Sequence, residues 1–420
     1  MSSSEFSGFY KLSAEDRRKK VREYAELSED EENALKEAGE LFSGAIAGMV
    51  ENQIGAMPVP LGVATGFLIN KKDYLVPMAT EEPSVIAAAS NAAKLARACG
   101  GFVTSSTEPV MIGQIQLLGI DEPEGAVKSI LREKKDLIGL ANKQDEMLIS
   151  RGGGARDIEV RVLETSEGKM LIVHLLVDVR DAMGANVINT MTEVMTPKIE
   201  EISGGKACLR IISNLAVHRL ARAKVVLKKD VVGTEVVDGV VNAYAFAASD
   251  PYRCATHNKG IMNGVDAVAL ATGNDTRALE AGAHAYAAMK GYKPLAHWKK
   301  DEHGDLRGEI ELPIAAGTVG GAIRTHPVAK IAIKILRVKS ARELSEVMAA
   351  VGLAQNFAAL RALSTEGIQK GHMKLHARNI AILAGAEGKE IDTVTGRLRV
   401  EGKISVDRAK EIVKEVRGNK

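Results

Sequence analysis

Lys259 stands in the run His257-Asn-Lys-Gly-Ile-Met-Asn-Gly264, and Asp275 follows it across an apolar stretch, Val265–Ala271, broken only by Asp266. A lysine and a carboxylate at opposite sides of a tight apolar segment are equipped to meet over a substrate. A partly desolvated ammonium there stabilises a developing oxyanion. The plainer reading makes Asp275 only the N-cap of the Ala-rich helix Thr276–Met289, and Lys259 a solvated loop charge. Glu82, in Glu81-Glu-Pro-Ser84, is the candidate proton donor. It precedes a helical run that has Pro83 at its first position and Gly100-Gly101 past its end. Carboxylates at such starts commonly serve as caps or dipole partners, so proton donation needs burial or a second carboxylate nearby. His372 and His376 share a helical face, but no HExxH glutamate lies between them and no third ligand is evident. No metal is expected.

A second chemistry is written in Asp181-Ala-Met-Gly184-Ala-Asn186, where a strand ending at Val179 turns into a helix. Free N–H groups, a positive dipole end and small residues fit a pyrophosphate there, although the pattern is not the Rossmann GxGxxG. Gly152-Gly-Gly154 does not follow a strand. Asp145, on the preceding helical segment, is either a ribose acceptor or an ordinary exposed acid. In Glu51-Asn-Gln-Ile-Gly55, the polar Glu51 and Asn52 make either a turn or a buried polar pair at a subunit contact or site edge.

The elements that must hold these groups follow from periodicity. Ser13-Ala-Glu-Asp16 and Ser28-Glu-Asp-Glu31 are capping boxes, so residues 1–48 are mostly helical. A strand ends at Ile69 before the turn Asn70–Asp73. Met111–Gly119 reads as a strand, Glu122–Ile149 as mostly helix, Ile158–Leu163 and Met170–Val179 as strands, Gly184–Ile202 as helix and Ala207–Ser213 as strand. This βαββαβ order is the ferredoxin-like arrangement. Trp298–Gly308 reads as a hairpin region, Gly317–Gly321 as a tight loop before a helix, and 341–365 as helix. The fold class is therefore α+β. A large domain (1–109 and 215–368) is interrupted by the ferredoxin-like unit (110–214) and followed by a small helical flap (369–420).

Composition bounds the partners. With 420 residues, 45% of them hydrophobic, the chain can bury a large core. The net charge of +2 and the 4% aromatic content argue against nucleic acid. Cys99, Cys208 and Cys254 form neither a disulfide frame nor a CxxC site, which fits a reducing cytosol. No apolar run approaches a membrane span or signal core, so a soluble, cytoplasmic protein is expected.

Taken together and in order, Glu82 in EEPS, DAMGAN, Lys259 in HNKGIMNG, Asp275 in TGND, His372 in GHMKLHARN and the ENQIG element make the sequence resemble class II 3-hydroxy-3-methylglutaryl-coenzyme A (HMG-CoA) reductases over nearly its whole length. The resemblance implies an acyl-CoA site in the large domain, a nicotinamide nucleotide on the βαββαβ unit and a flap bearing His372. The active sites would form across a dimer interface, in dimers that often assemble further. It implies two successive hydride transfers from HMG-CoA through mevaldehyde to mevalonate and coenzyme A. Lys259 would stabilise the oxyanion, Glu82 donate the proton, Asp275 hold Lys259 and couple it to Glu82, and His372 protonate the departing thiolate. Arg253, Ser84 and Asn263 match substrate-binding positions. Asp145, Asp181, Met183, Gly184, Asn186 and Asn214 match cofactor contacts. Asp145 favours NAD(H), while Lys143 leaves NADP(H) use possible. The position six after His372 is Arg378, where the eukaryotic enzymes carry a regulatory Ser. His376 and Cys254 are assigned to packing. Two rivals are a non-catalytic homologue that binds coenzyme A or nucleotide, and a coenzyme A transferase or lyase of another fold. The four reactive residues argue against the first and the nucleotide-type unit against the second.

Overall fold

The computed structural model describes residues 5–6, 8–36, 49, 52, 57–365 and 377–418. Both capping boxes form as the sequence requires. Ser13 Oγ accepts from Asp16 N at 3.0 Å to start α1 (Ala14–Ala25). Ser28 and Glu31 cap each other reciprocally, at 2.8 and 3.2 Å, at the head of α2 (Glu29–Lys36). Val21, Tyr24 and Leu27 of this region pack with Leu75, Ile331 and Ile335. Of ENQIG only Asn52 lies within the described residues.

The hairpin β1 (Leu61–Ile69) and β2 (Lys72–Ala79) leads to α3 (Val85–Ala98) and β3 (Val103–Ser106). The predicted start of α3 shifts. Pro83 lies outside the helix, and Ser84 takes the N-cap with φ 78°, its hydroxyl donating to Pro83 O. Glu82 therefore sits in a bend before the helix.

The chain then builds β4 (Val110–Leu118), three helices α4 (Pro123–Arg132), α5 (Lys134–Asn142) and α6 (Glu146–Ser150), then β5 (Gly154–Thr165), β6 (Gly168–Asp178), α7 (Ala185–Ser203) and β7 (Lys206–Ser213). The four strands pair antiparallel in the order β5-β6-β4-β7, which is the ferredoxin-like topology read from the sequence. Alternation does the work: Met111, Ile115, Val173 and Leu175 point at Ile188, Met191 and Met195 of α7 to form one core. The stretch expected to be mostly helix over 122–149 is made of three helices, the last capped by Asp145.

After β8 (Leu220–Leu227) come α8 (Lys229–Val232), α9 (Thr234–Ser249), α10 (Pro251–Ala271), α11 (Thr276–Ala288), the hairpin β9 (Ala296–Lys300) and β10 (Leu306–Pro313), α12 (Gly321–Thr325), α13 (Pro327–Leu336) and α14 (Ala341–Ser364). The large sheet runs β3-β8-β10-β9, all antiparallel. Its core is centred on α10 and α14. These helices cross closely, since a Cβ on Gly264 would lie 3.0 Å from Gln355 Cβ and one on Gly352 would lie 3.0 Å from a Val265 methyl. Alpha-14 is long and apolar enough to cross a membrane by composition alone, but 67% of that window is buried in the protein, as a core helix should be. A helical stretch at 377–383, α15 (Glu390–Glu401) and α16 (Val406–Gly418) close a separate small core of Ala381, Val394, Leu398, Ala409 and Ile412.

Candidate active site

Lys259 is not on a loop. It occupies the middle of α10, a helix of 21 residues capped by Asp250, whose carboxylate accepts from Arg253 N at 2.7 Å. Gly260 and Gly264 are tolerated inside this helix because tertiary packing outweighs their propensity cost of about 1 kcal/mol each. Most of α10 is buried. Lys259 and Asn263, one turn apart, share an uncovered stripe, and both reach Glu82 from the bend before α3. Lys259 Nζ stands 3.0 Å from Glu82 Oε2, and Asn263 Nδ2 stands 3.4 Å from the same oxygen. Residues 177 positions apart are thus joined in a pair with side-chain exposures of 59% and 34%. It is open enough to admit a substrate. Beside it, Glu82 and Ser84 line a cavity of about 920 Å³ that also touches Lys94 of α3 and Arg17 and Arg18 of α1.

Asp275 lies elsewhere. Ala271, the end of α10, is twelve helical steps beyond Lys259, which is about 18 Å of helix axis, and Asp275 is past that end. Its Oδ1 accepts from Arg277 N and Ala278 N at 3.0 and 3.1 Å, so it does cap α11. Its neighbour Asn274 is bonded both ways to Gly317, through Gly317 N at 2.7 Å and Gly317 O at 3.2 Å. Gly317 in turn lies flat against the 181–184 turn, where a Cβ would come within 2.8 Å of Met183 N. Asp275 and the DAMGAN turn therefore belong to one locality of the chain, and Glu82, Lys259 and Asn263 to another.

At the DAMGAN turn, Gly184 is the N-cap of α7 with φ 107° and no side-chain cap. A Cβ there would also strike Val179 at 2.6 Å, so only glycine fits. The first intrahelical bond is Ile188 N to Gly184 O, at 3.0 Å, which leaves the preceding first-turn donors without helical acceptors. Asn186 is exposed in that turn. The Asp181 carboxylate faces inward and accepts from Ala341 N at 2.8 Å, at the head of α14. Asp145 Oδ1 accepts from Leu148 N at 2.8 Å. Its loop is tied to the same end of the sheet, because Asn142 accepts from Ala155 N at 2.7 Å and Ala155 pairs with Val177. Asn214 is exposed after β7, with its carbonyl against Gly282 of α11. Among the described residues Arg253 Nη1 is buried without a partner, and burial pulls its guanidinium below the usual arginine range. Cys254 is buried as a packing residue. His372 and His376 lie outside the described residues. No group of three His, Cys, Asp or Glu suited to a metal occurs among the described residues.

Two groups carry more than their sequence context announces. Asp266, the one acid in the apolar run, lies on the same side of α10 as Lys259 and Asn263 but its Oδ1 is buried there. Burial and the adjacent Glu280 push its carboxyl up to about 8. Glu280 also meets His284 at 2.9 Å. Arg219 is buried beneath the DAMGAN turn. An acid inside an apolar run is a signal that could have found Asp266, whereas nothing in Val217-His-Arg-Leu-Ala221 marks Arg219.

Residues 13–377 match the family model of hydroxymethylglutaryl-coenzyme A reductase. The chain is 59% identical to 3-hydroxy-3-methylglutaryl-coenzyme A reductase of Archaeoglobus fulgidus, over 99% of this chain and 95% of that protein. It is 34% identical to the probable reductase of Borreliella burgdorferi, over 96% and 93% of the two chains. Among solved structures it is similar to the Streptococcus pneumoniae reductase, with a TM-score of 0.84 at 39% identity, covering 98% of this chain and 100% of that one. It is also similar to the class II enzyme of that organism bound to NADPH in open conformations, with a TM-score of 0.82 at 40% identity, covering 86% and 99%.

Proposed function

The chain belongs to the class II 3-hydroxy-3-methylglutaryl-coenzyme A reductases, and from that premise we propose that it interconverts HMG-CoA and mevalonate plus coenzyme A by two successive reductions through mevaldehyde. The observation that carries this reading is the Lys259–Glu82–Asn263 cluster, with its 3.0 Å ammonium–carboxylate contact beside a cavity of about 920 Å³. The first-turn donors of α7 and the small residues around Gly184 fit the diphosphate of a nicotinamide dinucleotide. When bound, that cofactor supplies the hydride.

The chain's own residues do the rest. Lys259 holds the charge that develops on the substrate carbonyl oxygen at each reduction, and Glu82, already in contact with it, delivers the proton. Asn263 and Ser84 orient the acyl group, and Arg253 grips its free carboxylate. Lys94, Arg17 and Arg18 offer cations along the cavity for the phosphates of coenzyme A. His372 protonates the leaving thiolate, an assignment that rests on the resemblance.

Asp275 completes the cluster from a second copy. Within one chain about 18 Å of helix axis carries α10 from Lys259 to Ala271, and Asp275 stands past that end, capping α11. A two-fold pairing that sets the Asp275–DAMGAN locality of one subunit over the Lys259–Glu82 locality of its partner joins cofactor and substrate. The reading therefore includes a homo-oligomer, in the cytoplasm, with the nucleotide bound to the β4–β7 unit and the flap bearing His372. For the cofactor we propose NAD(H), because Asp145 keeps one carboxylate oxygen beyond its cap bond for a ribose hydroxyl and repels a 2′-phosphate. NADP(H) is the second reading, favoured by the NADPH-bound relative.

The test is the absorbance of reduced nicotinamide followed with HMG-CoA, using each dinucleotide in turn. Expected is consumption of two reduced dinucleotides per mevalonate formed. No consumption with either dinucleotide by the folded, oligomeric protein overturns the proposal.

A further inference from the structure

Arg219, between β7 and β8, is 4% exposed. Its guanidinium donates to three main-chain oxygens: Nη1 to Ala182 O at 3.0 Å and Met183 O at 3.3 Å, and Nη2 to Ala316 O. All three acceptors are neutral. Burial draws its pKa down to about 10, against partial support from the Asp181 and Asp178 carboxylates, so it remains a cation at neutral pH. A desolvated guanidinium with no carboxylate in contact among the described residues is costly, and carbonyl dipoles repay the cost only in part.

The same turn is gripped from two other sides. Asp181 O accepts from Thr318 N at 2.9 Å, and the Asp181 carboxylate accepts from Ala341 N at 2.8 Å. What Arg219 adds is direction and sign. In a trans peptide the C=O and the following N–H point opposite ways, so pulling the oxygens of Ala182 and Met183 toward the cation turns the N–H groups of Met183 and Gly184 away from it. The Gly184 N–H then sits with the free donors that open α7. A cation behind donors that already carry the positive end of a helix dipole reinforces a field suited to an anion.

We propose that Arg219 is a positioning residue for the dinucleotide, fixing the 181–184 turn and lending the start of α7 a permanent buried positive charge that the cofactor's diphosphate answers. The inference rests on the nucleotide reading of that turn. It predicts that Arg219 acts on the charged part of the ligand, whereas a purely structural clamp would affect every ligand of the turn alike.

The experiment measures calorimetric affinities of ADP-ribose, adenosine and coenzyme A for the full-length protein, its Arg219→Met variant and its Arg219→Lys variant. Arg219→Met should weaken ADP-ribose at least about tenfold and flatten its salt dependence, while changing adenosine and coenzyme A less than about twofold. Arg219→Lys keeps the charge on a group that loses its proton readily when buried. Its ADP-ribose affinity should fall as pH rises from 6 to 9, while the wild type stays flat. Equal weakening of ADP-ribose and adenosine in Arg219→Met, or a flat pH profile in Arg219→Lys, overturns the role. If Arg219→Met does not fold, the pH profile of Arg219→Lys decides alone. Failure of the wild type itself to bind ADP-ribose would instead overturn the nucleotide reading.

Discussion

Co-assembly of Lys259→Ala chains with Asp275→Ala chains should restore activity that neither variant has alone. Within one chain about 18 Å of helix axis lies between Lys259 and the end of α10 at Ala271, and Asp275 is past that end. Across that distance in water two unit charges interact by only about 0.2 kcal/mol, and physiological salt screens beyond about 8 Å. An in-chain Asp275 is therefore irrelevant to Lys259. At about 4 Å across a subunit contact, with an effective dielectric near 20, the same pair interacts by about 4 kcal/mol before screening, equivalent to as much as about a thousandfold in rate. Each single variant should accordingly lose about a hundredfold or more. If a site takes Lys259 from one chain and Asp275 from its partner, random assembly at equal expression leaves about one site in four with both residues intact. The assay is turnover of the oligomers formed on co-expression at equal levels, taken without selection for mixed species, with separately purified variants mixed just before measurement as the control. Recovery near a quarter of wild-type activity is expected. No recovery refutes the shared site, and an Asp275→Ala protein that keeps more than a tenth of wild-type turnover refutes the role of Asp275.

Asp145→Ala should lower the ratio of catalytic efficiencies for NADH over NADPH by about tenfold to a hundredfold, and an unchanged ratio removes Asp145 from cofactor choice. His372→Gln should lose at least about a hundredfold in HMG-CoA reduction while free mevaldehyde is still reduced; equal losses would mean a role in closure instead of thiolate protonation. Asp266→Asn should raise thermal stability. The folded carboxyl titrates near 8 and the unfolded one near 3.9, so between those values the folded protein holds a proton that the unfolded chain releases, and stability declines as pH rises through that window. The variant should melt at least about 2 °C above wild type at pH 8, with the gap closing toward pH 4. Parallel melting curves at both pH values would contradict the placement of the proton.

Much of the fold was legible because alternation and capping are local. The ferredoxin-like unit was read with strand ends within a few residues, as were both capping boxes and the β9–β10 hairpin. What escaped depended on distant partners. The Gly- and Asn-rich run around Lys259 carries loop propensities, and it is helical because Gly264 and Gly352 let α10 and α14 pack closely. Sequence distance also misled. Lys259 and Asp275 are near in the chain and held apart by helix rise, whereas Lys259 and Glu82 are far apart in the chain and in contact. The start of α3 slipped past Pro83 because Ser84 adopts a positive φ that no local rule anticipates. Arg219 was invisible because its partners are main-chain oxygens, which leave no mark on neighbouring side-chain types.

The large sheet pairs β3 directly with β8, setting Ser106 opposite Ala221. To that sheet the whole stretch of 114 residues between them is the loop of a single hairpin. Closing such a loop from slack chain costs roughly 4 kcal/mol of entropy by the logarithmic law. The β4–β7 unit removes much of that cost, because its first and last strands are neighbours and Ile112 already faces Ser213. Once it has folded, only about a dozen residues remain to be closed, and the cost falls by roughly 2 kcal/mol. A chain that completes β4 to β7 before β8 exists has thus carried out most of the conformational search by which β3 finds its partner.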